Sequence, residues 1–252
     1  MAQKHRQDLI MELIEKTGFV TTEQLVEHFQ VTPQTIRRDL NQLARQSRVR
    51  RHHGGAGVDS STVNTAYQAR KIMELEAKER IAQSLVRMIP DSASLFINIG
   101  TTTETIARAL LGHSNLKVVT NNLHVASILA SREDCSIIIA GGEVRNRDGG
   151  IVGEATRDFI NQFKMDFGIV GISGIHMDGS LLDFDYREVR VAQTIMANSQ
   201  QVLLAADHSK FGRNAMVRLG SITQADHFFT DQAPPLEIRQ LLDDNDVRLH
   251  VV

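Results

Sequence analysis

A chain of 252 residues that is 42% hydrophobic and 23% charged is long enough for one small and one medium domain, each with its own core, and its composition excludes a disordered chain. No apolar run reaches the roughly 18 residues of a membrane span, and the opening Met1-Ala-Gln-Lys-His-Arg6 has no hydrophobic segment after its charges, so no membrane partner and a cytoplasmic location are expected. The net charge of −2 argues against an indiscriminate nucleic-acid binder, and the single cysteine, Cys135, excludes an intrachain disulfide and a cysteine-built zinc site, leaving a buried structural thiol.

Leu9, Ile10, Leu13 and Ile14 recur at helical spacing and predict an amphipathic helix that stops at Gly18, with Phe19-Val20 as a short apolar pair after it. A second helix starts at Thr22 with Leu25, Val26 and Phe29 on its apolar face, and Gln30-Val31 makes the turn into a third. Thr32 suits the N-cap, where its hydroxyl can accept from a free backbone N–H, and Pro33 suits the first helical position, where no N–H is needed. From there Ile36, Leu40 and Leu43 form one apolar stripe, while Gln34, Arg38 and Asn41 gather on the opposite face with Arg37 at its flank. Arginine can grip guanine O6 and N7 with two hydrogen bonds, and glutamine or asparagine can read adenine, so this face suits DNA; a merely solvated helix face would more often show Glu/Lys pairs. Downstream, Arg48-Val-Arg-Arg-His-His-Gly-Gly55 reads as a basic β-hairpin, or wing, with Gly54 and Gly55 taking backbone angles that other residues resist. His52 and His53 would point to opposite faces of a strand, and no cysteine or carboxylate cluster completes a site around them, so no metal is expected.

Charge follows the same map. Residues 1 to 56 hold nine Lys/Arg against six Asp/Glu, a balance of +3, and the remainder holds 19 against 24, a balance of −5. Between Arg37 and His53 lie six arginines and one acid, Asp39, which favours phosphate contact. Arg38 and Gln34 are expected at base edges, Arg37, Arg50 and Arg51 at phosphates, with Thr32, Thr35 and His52 completing the set.

The polar, aperiodic stretch Gly57 to Thr65 predicts a linker, giving a winged helix-turn-helix domain over 1–57, a linker and connecting helix over 58–76, and an α/β domain over 77–252. Tyr67 to Ile89 reads as one long helix or two shorter ones, with Ile81, Leu85, Val86 and Ile89 as the apolar side and Pro90 as the stop. Apolar runs at 94–99, 116–120, 136–140, 167–171 and 201–206, separated by helical segments, predict a parallel sheet; 227–230, a helix from Pro234-Pro235 to Leu242 and a strand over 247–252 follow.

In such sheets ligands sit at the carboxyl ends of the strands. The residues found there are Gly100-Thr-Thr-Thr103, Thr120-Asn-Asn122, Gly141-Gly-Glu-Val-Arg145, Gly171-Ile-Ser-Gly174 and Asp207-His-Ser-Lys210. Each alone reads equally as a turn or a helix cap, but five polar or glycine-bearing loops at equivalent strand ends point to a small phosphorylated ligand. The binding set expected is Gly100, Thr101, Thr102, Thr103, Asn121, Gly142, Arg145, Asp207 and Lys210. No Gly-Lys-Ser/Thr follows the glycine loop, so ATP chemistry is disfavoured and no cofactor is expected.

Val31-Thr-Pro-Gln-Thr-Ile-Arg-Arg-Asp-Leu40, Arg51-His-His-Gly-Gly55, Gly100-Thr-Thr-Thr103, Thr120-Asn-Asn122, Ala140-Gly-Gly142 and Asp207-His-Ser-Lys-Phe211 together resemble the DeoR family of bacterial transcriptional repressors over essentially the whole chain. The resemblance implies an N-terminal winged helix on double-stranded operator DNA, a C-terminal sensor for a sugar or polyol phosphate, and assembly into a dimer or tetramer. Residues 147–154, 179–186 and 208–216 narrow the implied effector to sn-glycerol 3-phosphate. The family usually carries aspartate where this chain has Asn98. The α/β domain also looks like ribose-5-phosphate isomerase at Gly100 to Glu104 and Ala206 to Lys210, which supplies a rival reading as an enzyme with Glu188 as its base. Against it, Gly171-Ile-Ser-Gly174 and Gly179-Ser-Leu-Leu182 replace the isomerase's catalytic blocks, so a pocket that binds without turnover is expected. A repressor answering another sugar phosphate stays open, and a purely structural nucleoid protein would not need this pocket.

Overall fold

The computed structural model describes residues 3–46, 48–52, 54–57 and 64–252; His53 and most of the expected linker lie outside them. The chain divides into two compact units, Met1–Leu75 and Glu76–Val252.

In the first unit, helix α1 (Gln3–Thr17) ends where Gly18 turns left-handed at φ +79 and its N–H donates to the Ile14 carbonyl at 2.6 Å. Strand β1 (Phe19–Thr21) leads into α2 (Thr22–Phe29) through a capping box: Thr21 Oγ1 accepts from the Gln24 N–H at 3.0 Å, and Gln24 Oε1 accepts from the Thr21 N–H at 2.9 Å. Gln30, left-handed at φ 53, turns the chain toward α3 (Pro33–Arg45), whose cap is Thr32 accepting from the Thr35 N–H at 3.3 Å. Ile10, Ile14, Leu25, Ile36, Leu40 and Leu43 from the three helices make one core with Val20, Val49 and Ala56. Strands β2 (Arg50–His52) and β3 (Gly55–Gly57) form the expected hairpin, and a short α4 (Tyr67–Ile72) follows. The pair Phe19-Val20 belongs to a strand because β3 lies between β1 and β2 in an antiparallel sheet, a partner 36 residues away that local pattern cannot reveal. Of the Gly54-Gly55 pair, Gly54 uses a left-handed angle, φ +83, and Gly55 does not; Gly55 is needed because a Cβ there would press into the Val20 carbonyl and the Phe19 ring.

The second unit runs α5 (Leu75–Val86), β4 (Ser94–Ile97), α6 (Thr101–Ala109), β5 (Lys117–Thr120), α7 (Leu123–Leu129), β6 (Ser136–Ile139), β7 (Glu143–Arg145), β8 (Gly150–Val152), α8 (Glu154–Ile160), β9 (Met165–Gly171), β10 (Gly174–Ile175), β11 (Ser180–Asp183), α9 (Tyr186–Ala197), β12 (Ser199–Ala205), β13 (Val217–Ser221), β14 (His227–Thr230), α10 (Leu236–Asp243) and β15 (Arg248–Val251). Seven strands form one parallel sheet in the order β15-β14-β12-β9-β4-β5-β6. Successive strand residues serve opposite faces. Leu95, Ile97, Ile169, Leu203 and Phe229 pack with α5, α6 and α7, whereas Phe96, Val170, Val202, Leu204 and Phe228 pack with α8, α9 and α10. From β4 the chain builds outward to β5 and β6, then returns to the other side of β4 with β9, which puts the topological switch between β4 and β9.

The apolar-run pattern does not anticipate two features here: the β7–β8 hairpin and the antiparallel sheet β10-β11-β13. Both are built of short strands lying outside the apolar runs from which the sheet was read. Cys135, expected to be buried, is half-buried. Among the described residues no helix is long and apolar enough to cross a membrane.

Candidate functional site

The outer face of α3 is as drawn from its periodicity: Gln34, Arg37, Arg38 and Asn41 are exposed and Thr35 is half-buried. Thr32 spends its hydroxyl locally, on the Thr35 N–H and on Thr35 Oγ1 at 2.9 Å, so its contribution is to fix the start of the helix. Arg50, Arg51 and His52 are half-buried on the wing, where His52 packs edge-on against Phe19 with ring centroids 5.7 Å apart. Strand alternation puts Arg51 on the side of its partner Ala56, which is fully buried. Burial first, and the charge of Arg37 second, push the Arg51 guanidinium below its ordinary value, and its Nη1 is buried with no hydrogen-bond partner among the described residues. Two crowded arginines with an unspent donor favour an anion.

Asp39 is the residue whose role pattern reading missed. It counted as the one acid in a basic stretch, yet it is fully buried and accepts from Arg6 Nε at 2.6 Å, Gln3 Nε2 at 3.1 Å and Gln7 Nε2 at 3.3 Å. The available signal was Gln3, Arg6 and Gln7 on one side of α1, since positions three and four apart share a helix face. With Asp39 neutralised inside the fold, the face of α3 turned to solvent is more basic than the charge count implies.

In the second unit, Gly100 precedes α6, and Thr101, Thr102 and Thr103 occupy its first turn, all three buried. The first N–H groups of a helix have no intrahelical acceptor and carry its positive end, a setting whose charge is complementary to an anion. Thr103 differs from its neighbours because its hydroxyl already donates to the carbonyls of Asn98 and Gly100, each at 2.8 Å. Asn121, after β5, donates through Nδ2 to the Ile151 carbonyl at 2.9 Å and keeps Oδ1 buried without a partner among the described residues. After β12 comes Asp207, fully buried, accepting from the N–H and hydroxyl of Ser209. Burial works to raise its carboxyl, but Lys210 and then Lys78, with the Ser209 bonds, hold it at about 2, so it is ionised. Lys210 Nζ lies 3.6 Å from Asp207 Oδ2. Lys78, in α5, is only 2% exposed; a sequence rich in Lys and Glu hides such a residue among solvated ones, and nothing in its spacing marks it.

Strands stand about 4.8 Å apart, and β5 and β12 have β4 and β9 between them, so Asn121 and Asp207 follow strands roughly 14 Å apart with the α6 turn between. Arg145 does not fit the anion role expected of it. Its guanidinium makes a two-pronged pair with Asp148 at 2.8 Å on both prongs, and reaches Asp185 Oδ2 at 3.0 Å and Glu188 Oε2 at 2.7 Å. Burial alone would lower its pKa; Glu188 and Asp148 more than offset this and raise it. Three carboxylates already compensate its charge and take four of its five N–H donors, and Arg145 ties the β7–β8 hairpin to the start of α9. Gly142 is likewise structural, since a Cβ there would run into Thr156 Oγ1. Among the described residues no group of three His, Cys, Asp or Glu side chains is arranged to hold a metal ion.

Residues 6–62 match the model of the DeoR-like helix-turn-helix domain and residues 73–232 that of the DeoR C terminal sensor domain. The chain is 57% identical over 251 residues, all of it and all of the relative, to the glycerol-3-phosphate regulon repressor of Escherichia coli (strain K12). It is 53% identical over 234 residues to the protein of the same description from Haemophilus influenzae, covering 93% of this chain and 91% of the relative. Among solved structures, ribose 5 phosphate isomerase A from Neisseria gonorrhoeae matches 53% of this chain and 52% of its own, at 16% identity and a TM-score of 0.40.

Proposed function

The chain belongs to the DeoR family, with its helix-turn-helix domain ahead of its sensor domain, and on that premise we propose that it represses genes of glycerol 3-phosphate metabolism and leaves their operators when it binds sn-glycerol 3-phosphate. A helix-turn-helix of this family implies operator DNA, and a sensor domain implies a small-molecule effector. The observation that carries the finer reading is identity of 57% across the full length, sensor included, with a glycerol-3-phosphate regulon repressor.

The chemistry of the strand ends supports the same ligand. A phosphate is seated on the N–H groups at the start of α6, with Thr101 and Thr102 as hydroxyl partners and Lys210 and Lys78 as the cations on its β12 side. Asp207 and the free acceptor Asn121 Oδ1 suit polyol hydroxyls, because a buried acceptor gains most from a donor that arrives with the ligand. Gln34 and Arg38 read bases, Arg37, Arg50 and Arg51 hold phosphates, and the protein works as a homo-oligomer on paired half-sites, since one recognition helix covers few base pairs. Release requires the effector to prefer the operator-free protein, typically by about 1–3 kcal/mol, and operator DNA then weakens effector binding equally.

Turnover as an isomerase is disfavoured by one bond: Glu188, the residue expected as its base, is paired at 2.7 Å with the Arg145 guanidinium. The test is operator binding titrated with sn-glycerol 3-phosphate and other sugar phosphates. The proposal expects release by sn-glycerol 3-phosphate in wild type and a blunted response in Lys210→Ala with Thr102→Ala. No stabilisation of the protein and no loss of operator binding at millimolar ligand refutes it, as does a monomer bound singly to operator in sedimentation.

A further inference from the structure

The seven-stranded sheet has two outer edges, and they are built differently. Strand β15 carries the exposed Arg248, and a charge on an edge strand is a common defence against pairing with another chain. Strand β6, Ser136-Ile-Ile-Ile139, has no charge, proline or glycine, and among the described residues no strand lies against its outer side. Ile138 and Ile139 are 38% and 44% exposed, although strands of a parallel sheet are ordinarily covered. The N–H groups of Ser136 and Ala140 donate inward, to the Leu116 and Thr120 carbonyls, each at 2.9 Å. Main-chain groups alternate in direction along a strand, so those of Ile138 also face β5 and those of Ile137 and Ile139 face outward.

We propose that β6 is the seam between two copies of this chain, paired antiparallel about a two-fold axis at Ile138; this rests on the reading of the protein as a homo-oligomer. The strand is complementary to itself. Ile137 exchanges both main-chain bonds with Ile139 of the second copy, and Ile139 does so with Ile137 of that copy. Between them the two Ile138 residues face each other as a close pair, with Cα atoms about 4.5 Å apart. Charge selects this edge over the other, because a two-fold seam at β15 would bring two Arg248 side chains to one junction. Pairing β6 with β15 of the next copy would run on from chain to chain without a two-fold axis. Four residues alone cover less than the roughly 800 Å² per partner of a standard interface. Helix α7, which packs on β5 and β6, supplies the remainder. Placed over the space between those strands, it stands about one strand spacing, ~4.8 Å, from the axis. The two copies of α7 then lie about 10 Å apart, the distance of packed helices.

The experiment follows the full chain, without DNA, by sedimentation and by residue-resolved hydrogen exchange. In assembled wild type the N–H groups of Ile137 and Ile139, which face away from their own sheet, are protected like that of Ile138, which faces β5. Ile138→Lys sets two ammonium groups against each other on the axis. Its mass falls to half that of wild type, and exchange at Ile137 and Ile139 quickens on the order of tenfold or more, the scale of a lost hydrogen bond. Exchange in β4 and β9 stays slow, which is the control for folding. Cys135→Ser with Ile138→Cys puts one thiol per chain on the axis, at a separation that a disulfide spans, and oxidation links the chains in pairs. Fast exchange at Ile137 and Ile139 in assembled wild type, an unchanged mass for Ile138→Lys, or no linkage overturns the seam and leaves the homo-oligomer reading standing. Protection of both amides in a dissociated Ile138→Lys means that the chain covers its own edge, and overturns the seam as well. If Ile138→Lys fails to fold, the wild-type amides and the cross-link decide. Wild type that sediments as a monomer at micromolar concentration refutes the homo-oligomer reading and the seam with it.

Discussion

Removing the Asp39 carboxylate separates two accounts of operator binding by sign. If Asp39 were a surface acid among six arginines, Asp39→Ala would relieve repulsion of phosphate and tighten binding to any DNA. The structure requires the opposite. The Asp39 side chain is 1% exposed and that of Arg6 10%, so the substitution strands a buried guanidinium, while the Gln3 and Gln7 amides keep only their bonds to Gln42. Breaking one side of a buried ion pair costs about 3–5 kcal/mol. At roughly 0.05–0.15 kcal/mol per residue, a unit of the size of Met1–Leu75 holds only about 4–11 kcal/mol in all, so the loss takes from about a quarter of its stability to all of it. Hydrogen exchange across α1 and α3 should become fast and operator binding should fall, while exchange in the sensor sheet stays protected. The double variant Arg6→Met with Asp39→Leu should recover protection and operator binding, because apolar replacements of a buried pair are often neutral or better. Tighter DNA binding by Asp39→Ala with unchanged exchange would refute the reasoning.

Arg145→Met should destabilise the sensor by about 3–5 kcal/mol, because Asp148, Asp185 and Glu188 are left facing one another, and thermal melts should show the deficit shrinking as pH falls and the carboxylates take up protons. His227 and His250, 3.0 Å apart, are both held below 6.5, by burial foremost. The unfolded chain therefore binds protons first: the stability they contribute is complete above pH 6.5 and is lost as pH drops below it, a slope that His250→Phe should reduce in urea melts between pH 7.5 and 5. In gel shifts across salt, Arg38→Ala should cost about 1–3 kcal/mol on operator and relax base choice, whereas Arg50→Ala should weaken all sequences and lower the salt slope by about one; equal affinities for wild type and Arg38→Ala on both DNAs would remove α3 from the interface.

The winged helix was legible because its signals are local. The Thr32 cap, Pro33 and the stripe Ile36, Leu40 and Leu43 lie within a dozen residues, and the structure repeats them. The parallel sheet was legible for a similar reason, since strands covered on both faces are continuous apolar runs. What pattern could not supply is pairing across distance. Thr102 shows its chemistry in its own sequence neighbourhood, but Arg145 could be judged only with Asp185 and Glu188, 40 and 43 residues away. Lys78 is hidden for the converse reason, because composition treats a charge as solvated and only the packing of another element reveals that it is buried; Asp39 is nearly so, its one signal being the polar face of a different helix.

The middle strand of the wing, Gly55-Ala-Gly57, has an implication for mutational scans of operator control. A Cβ at Gly55 has nowhere to go against Val20 and Phe19, and one at Gly57 would stand 2.7 Å from the Gly18 carbonyl. Substitutions at these two positions should abolish repression in cells as completely as those at Arg38, although neither glycine offers a side chain to DNA. The two kinds of loss part company when protein level is scored beside reporter output: Arg38 variants accumulate normally and fail to repress, whereas Gly55 and Gly57 variants vanish through degradation. A signature of glycines beside arginines in a wing can therefore record a demand of proteostasis, and reading it as a DNA-contact motif would assign selection to the wrong trait.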